Sequence, residues 1–212
     1  MSAFFHEELH RGRELLDRLR AFAITICGAG ALGGQIAESL ARTGCGRIKL
    51  IDHDRIEERN LSTQPYQRAD IGAFKASILA HSLYRALGTR VQAECKTLDA
   101  RTVARLLGGS ALVVDAFDNS VSRGWVHDWC ARTDTPCIHA GLADAYGEVV
   151  WNAVYRVPSA VQDDICDYPL ARNLVLLTTA VACEAILSFI ATAQQRSYSI
   201  TLDDFAIRPW AD

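Results

Sequence analysis

Phe22-Ala23-Ile24-Thr25-Ile26-Cys27-Gly28-Ala29-Gly30-Ala31-Leu32-Gly33 is the stretch from which the rest of this 212-residue chain can be read. Its first half is an apolar run of strand length. Its second half spaces glycines as Gly-x-Gly-x-x-Gly and opens a helix-period segment over about Ala31 to Thr43. Strand, glycine turn and helix in that order make a phosphate-binding end: the turn is tight, a phosphate can approach backbone N–H groups at Gly28, Gly30 and Ala31, and Gly33 lets the helix pack closely on the strand. Asp52 ends the next apolar run, 24 residues after Gly28, where a carboxylate can take ribose hydroxyls. The competing reading is a turn needed only for helix–strand packing. The glycines alone do not choose between a dinucleotide and ATP.

Outward from this unit the apolar spacing alternates between strand and helix periods. Strands are expected at Arg47 to Asp52, Val91 to Thr97, Ala111 to Phe117 and Pro136 to Leu142. Helices are expected at Phe74 to Leu87, Ala100 to Leu107 and Ser120 to Arg132. After Gly141 the pattern changes: Glu148 to Tyr155 reads as a strand reached through a tight turn at Asp144 to Gly147, and Ser197 to Ile207 as another. The expected fold class is α/β, a doubly wound, mainly parallel Rossmann-like sheet with antiparallel C-terminal strands. The chain reads as one domain over 1–212. Within it, 1–20 is an amphipathic N-terminal helix with Phe5, Leu9, Leu16 and Leu19 on one face, 156–170 is a crossover loop, and 171–212 is a C-terminal helix and strand.

Composition narrows the function classes. A hydrophobic content of 50% with 22% charge supports a packed core and argues against disorder. Lysine and arginine number 22 against 25 acids, so no basic field exists to hold nucleic acid, which is not expected as a partner. The apolar stretch Leu174 to Ile190 carries Glu184 and lacks flanking anchors, so it reads as a core helix and not a membrane span. Seven cysteines with no Cys-x-x-Cys pair, behind an N-terminus without an apolar signal core, suggest reduced thiols and a cytoplasmic location.

The segment after Asp52 is unlike the short turn of an ordinary dehydrogenase. It reads Asp52-His53-Asp54-Arg55-Ile56-Glu57-Glu58-Arg59-Asn60-Leu61-Ser62-Thr63-Gln64, followed by Asp70-Ile71-Gly72-Ala73-Phe74-Lys75, a long polar loop ending in a lysine on the first turn of a helix. Later, Val113-Val114-Asp115-Ala116-Phe117-Asp118-Asn119 closes a strand with two carboxylates, and Arg123 follows. In these features the sequence resembles the ThiF/MoeB/HesA adenylyltransferases, the family that includes ubiquitin-activating enzymes. There the glycine turn, Asp-x-Asp, Asn-Leu-x-x-Gln, Ile-Gly-x-x-Lys and Asp-x-x-Asp-Asn occur in the same order. The resemblance covers roughly residues 11 to 152.

What the resemblance implies is ATP-dependent adenylation of the C-terminal carboxylate of a small ubiquitin-like or sulfur-carrier protein. Lys75 would neutralise phosphate, Asp52 would hold the ribose, Asn60 and Gln64 would order the phosphate loop, and Asp118 would hold Mg²⁺. Lys75 could instead be a solvated lysine and Asp118 part of a helix cap. Asp115 is expected as a structural partner and Arg123 as the residue that orients this loop. Thr63 stands where the family carries an arginine toward the terminal phosphates, and Arg59 or Arg68 could reach back in its place. The family also sends an N-terminal arginine into a partner subunit's ATP site, a role that falls to Arg11 with Arg13 in reserve, which makes the expected unit a homodimer. No zinc is expected, since the two Cys-x-x-Cys pairs of longer relatives are missing. Cys166, in Gln162-Asp163-Asp164-Ile165-Cys166-Asp167, stands roughly where some relatives accept the acyl group, although its acidic neighbours would raise the thiol pKa. The other cysteines read as core residues, and His139 is open to a substrate-site role. The residues leave two rivals open: an NAD- or FAD-dependent oxidoreductase on the same glycine turn, and a non-catalytic nucleotide-binding partner subunit.

Overall fold

The computed structural model describes residues 2–159 and 170–210. β1 (Ala23–Cys27), β2 (Arg47–Ile51), β3 (Gln92–Glu94), β4 (Leu112–Asp115) and β5 (Cys137–Ala143) run parallel in the spatial order β3-β2-β1-β4-β5. β6 (Tyr146–Trp151), β7 (Tyr198–Thr201) and β8 (Ala206–Pro209) extend the same sheet antiparallel beyond β5. α3 (Ala31–Thr43), α4 (Lys75–Leu87) and α7 (Arg172–Thr192) cover one face, while α5 (Val103–Leu107) and α6 (Ser120–Thr133) cover the other. Strands covered on both faces are buried at every position, which is why burial does not alternate along Ile24–Cys27, where even Thr25 is buried, or along Leu112–Val114. Strand order reverses between β1 and β4, and the carboxyl ends of these neighbours open the crevice where doubly wound sheets bind ligands.

The expected α/β sheet is therefore observed, with differences at its ends. The N-terminal helix is two helices, α1 (Phe5–Arg11) and α2 (Arg13–Ala21), broken at Gly12, whose φ of +83° an L side chain rarely adopts. The break separates the supposed common face: Leu16 and Leu19 are fully buried, whereas Leu9 is 70% and Phe5 37% exposed. The C-terminal strand is a hairpin, β7 and β8, turning through Phe205 at φ +52°. β6 starts two residues before Glu148, because the turn from β5 needs only Asp144, in the left-handed region at φ +51°, and Ala145. β3 is shorter than expected, a sheet edge with one strand neighbour.

α7 is apolar all round, and its length and hydropathy suffice to cross a bilayer. It lies instead in the core against α3 and β6, burying Leu174, Val175, Ala182, Ile186 and Ile190. Gly147 on β6 permits this approach, since a side chain there would overlap Thr178. Most of the crossover loop 156–170, Cys166 included, lies outside the described residues.

Candidate active site

Packing at the glycine turn leaves no alternative to glycine at its first and third positions. Gly28 has φ +94°, and a Cβ on it would stand 2.8 Å from the carbonyl oxygen of Ala116 at the end of β4. A side chain at Gly33 would overlap the Gly28 carbonyl, so this third glycine serves helix–strand packing and does not line the cavity. Asp52 fastens the turn from the side. Its Oδ2 accepts the Ala29 N–H at 2.6 Å and its Oδ1 the Asp54 N–H at 2.7 Å, while Tyr66 donates its hydroxyl to the Ala29 carbonyl at 2.7 Å. Burial pushes the Asp52 carboxyl above the usual carboxylate range, opposed by these amide bonds and by the charge of Lys75. Each oxygen keeps a second lone pair, which is what a ribose hydroxyl would use.

A cavity of about 770 Å³ runs from this turn to the open end of β5 and β6. Of the residues expected at the site, Gly28, Gly30, Ala31, Asp52, Gln64, Lys75 and Asp118 all line it. Lys75 is buried, and its Nζ donates to Asp54 Oδ2 at 3.0 Å. Asn60 sits back from the cavity: its side chain accepts the Glu57 N–H at 2.9 Å and its carbonyl the Gln64 N–H at 2.9 Å, which shapes the loop that presents Gln64. Gln64 holds its amide nitrogen about 4.0 Å from the Cβ position of Gly30, and its buried Oε1 has no partner among the described residues. The helix cap beside Asp118 is Asn119, whose side chain accepts the Ser122 N–H at 2.8 Å, so the exposed Asp118 carboxylate is not needed there.

Behind Asp118 a buried network fixes the loop. The Arg123 guanidinium donates to the Phe117 carbonyl at 2.7 Å, the Ala140 carbonyl at 2.9 Å and the Tyr155 hydroxyl at 2.8 Å, and lies 3.6 Å from Asp115. This is the orienting role expected of Arg123, with Asp115 as its partner. Burial disfavours ionised Asp115, but Arg123 and the bond to His139 outweigh it and hold its carboxyl below the usual range. His139, open in sequence to a substrate-site role, does not line the cavity. It is fully buried, stacked 3.7 Å from the Tyr155 ring, with Nδ1 2.8 Å from Asp115 and Nε2 2.7 Å from Asn152.

Other expected residues lie elsewhere. Arg11 pairs within its own chain, with Glu184 of α7 at 2.6 Å and Glu7 at 2.6 Å, away from the cavity. Arg68 is on Glu58 at 3.1 Å and Arg59 on Glu57 at 2.7 Å. Cys27 and Cys183 are core residues, as expected. Among the described residues the grouping with metal-ligand spacing is Asp52, His53 and Asp54.

A family model described as the ThiF family matches residues 6–196. The chain belongs to the ThiF family. Among its relatives, the sulfur carrier protein adenylyltransferase of Thermus thermophilus is 32% identical over 151 residues, covering 70% of this chain and 54% of the relative. The sulfur carrier protein ThiS adenylyltransferase of Bacillus subtilis is 31% identical over 140 residues, covering 64% and 41%. This chain therefore spans about half the length of such family members. In fold it is similar to the crystal structure of E. coli MccB with MccA-N7isoASN, at a TM-score of 0.85 and 18% identity over 99% of this chain and 72% of that one. It also resembles E. coli tRNA N6-threonylcarbamoyladenosine dehydratase, TcdA, at 0.78 and 21% identity over 90% and 95%.

The cavity also contains residues that sequence reasoning missed. Thr97 and Leu98 line it just beyond β3, and the rule that ligands gather at carboxyl ends of parallel strands could have found them. Tyr146 and Glu148 carry no such signal: they reach the cavity because β6 folds back antiparallel and pairs Glu148 with Gly141, over which its side chain lies.

Proposed function

We propose that this ThiF-family chain uses ATP and Mg²⁺ to adenylate the C-terminal carboxylate of a small ubiquitin-like or sulfur-carrier protein in the cytoplasm. A carboxylate oxygen of the substrate bonds to the α-phosphorus of ATP, the bond to the bridging α–β oxygen breaks, and pyrophosphate leaves with that electron pair. What carries the reading is that one cavity holds the glycine turn, Lys75 and an uncapped Asp118 together. A dinucleotide oxidoreductase leaves Lys75 and Asp118 without work. Gln64 supports a bound anion, since its amide nitrogen is the end that faces the glycine turn and can donate to phosphate.

In this reading Gly28, Gly30 and Ala31 present the turn to phosphate, Asp52 takes the ribose, and Lys75 balances charge between two anions. Mg²⁺, when bound, neutralises phosphate charge, and Asp118 holds it. Arg11 serves the partner's site in a homodimer, exchanging Glu184 for phosphate, and the exposed Leu9 and Phe5 of α1 are apolar surface for such an interface. Cys166 is proposed as an acyl acceptor. The test is calorimetric titration with Mg-ATP and with NAD, followed by pyrophosphate exchange. Mg-ATP should bind and NAD should not, and Asp118→Asn and Lys75→Ala should abolish exchange with melting temperatures within a few degrees of wild type. NAD binding without a response to ATP, or full exchange by both variants, would sink the reading.

A further inference from the structure

The cavity is short of positive charge for the anion it is proposed to hold. Among the described residues its lining has five carboxylates, Asp52, Asp54, Asp118, Asp144 and Glu148, against two permanent cations, Lys75 and Arg123. Lys75 already faces Asp54 at 3.0 Å. Arg123 directs all three guanidinium nitrogens at Phe117, Tyr155 and Ala140 behind the wall. A triphosphate brings about four further negative charges; Mg²⁺ would offset two of them and the partner's Arg11 one, so burial beside these carboxylates still favours a further cation from the rim.

Four arginines stand around the loop that carries Gln64. Arg59 is paired with Glu57 and Arg68 with Glu58, and Arg55 lies 4.0 Å over the Phe74 ring with Nη1 on the Gly72 carbonyl. Arg172 differs. At the first position of α7 it is exposed, and its contact is one hydrogen bond from Nη1 to the Ser62 carbonyl at 3.3 Å, with no carboxylate partner among the described residues. It does not line the cavity itself but joins two chain segments that each supply a lining residue. Ser62 precedes the cavity-lining Gln64 by two residues, and Arg172 follows the cavity-lining Leu170 by two. A guanidinium with donors to spare is placed where the loop that carries Gln64 and the start of α7 meet.

We infer that Arg172 is a nucleotide-binding residue that contacts the terminal phosphates and supplies the charge absent at Thr63. The inference rests on the nucleotide reading above and adds a residue of α7 to it. A long, flexible side chain anchored by a single neutral hydrogen bond can turn from the Ser62 carbonyl to a phosphate oxygen, gaining a charge-assisted bidentate contact in exchange.

The experiment is calorimetric titration of wild type, Arg172→Ala and Arg172→Gln with Mg-ATP and, separately, with AMP. Both variants should bind Mg-ATP about tenfold more weakly, the scale of one lost charge-assisted contact, while AMP affinity stays within about twofold. Glutamine keeps a donor for the Ser62 carbonyl and removes only the charge. Wild-type ATP affinity in Arg172→Gln would therefore overturn the inference and leave Arg172 a loop fastener. Equal losses for ATP and AMP would overturn it as well, because terminal-phosphate contact would not be the cause. A wild-type chain that binds neither nucleotide would instead bring down the adenylation reading on which the inference stands.

Discussion

Replacing Arg123 by methionine tests whether the Asp118 loop is held by buried electrostatics. The substitution keeps much of the stem's volume and removes the donors to Phe117, Ala140 and Tyr155 together with the charge 3.6 Å from fully buried Asp115. Removing one partner of a buried ion pair costs about 3–5 kcal/mol, and His139 still bonds Asp115, so the lower end, about 3 kcal/mol, is expected. For a chain of this size that is a fall of roughly 6–12 °C in melting temperature. The loss should depend on pH in a definite direction. Arg123 helps to hold the folded Asp115 carboxyl below its ordinary value, so its stabilisation is present above the unfolded carboxyl pKa and disappears as pH falls through the folded one. Urea unfolding of both proteins should show the largest gap near pH 7, narrowing below about pH 4. A loss under about 1 kcal/mol, or a gap that widens on acidification, would refute this account of the network.

Gly28→Ala should lose about 2–4 kcal/mol of stability and most Mg-ATP affinity, since its Cβ meets the Ala116 carbonyl at 2.8 Å on a backbone at φ +94°, and thermal melting beside calorimetry would show whether both fall. Thr178→Val removes a buried hydroxyl that has no partner among the described residues, so melting should be unchanged or rise by a few degrees; a clear fall would mean that the hydroxyl is satisfied. Asp52→Asn places an amide where both oxygens now accept N–H groups, so it should cost about 1–3 kcal/mol in urea unfolding and weaken ATP binding. Mixing Arg11→Ala with Lys75→Ala chains, each inactive alone, should restore up to about a quarter of wild-type exchange, because half the dimers are mixed and each carries one intact site. No recovery would place the whole site within one chain.

Much of this site could be read directly because local chemistry and chain order dictate it. The glycine turn is recognisable wherever it follows an apolar strand and opens a helix, since Gly28 and Gly33 are demanded by contacts within that same unit or with the next core strand. Asp52, Lys75 and Asp118 stand at strand ends or a helix start, and in a doubly wound sheet those positions converge without further information.

The remainder depended on contacts between distant segments. Gly12 sits in a run whose apolar period crosses it unbroken, and only the positive φ and the docking of Leu16 and Leu19 on the core show that the helix stops there. His139 and Asp118 look alike in sequence, each a polar residue near a strand end. Asp115, Tyr155 and Asn152 enclose the first, while Asn119 takes over the cap and leaves the second in the cavity. Arg172 lies 110 residues from Ser62, and no spacing rule joins them. Periodicity and motif order carry information over a turn or two of chain, so they determine elements and the ends that face the crevice. Which charges are neutralised by neighbours and which remain for a ligand is fixed by pairwise distances across the packed fold, and those exist only once α7, the phosphate loop and the β5–β6 hairpin have come together.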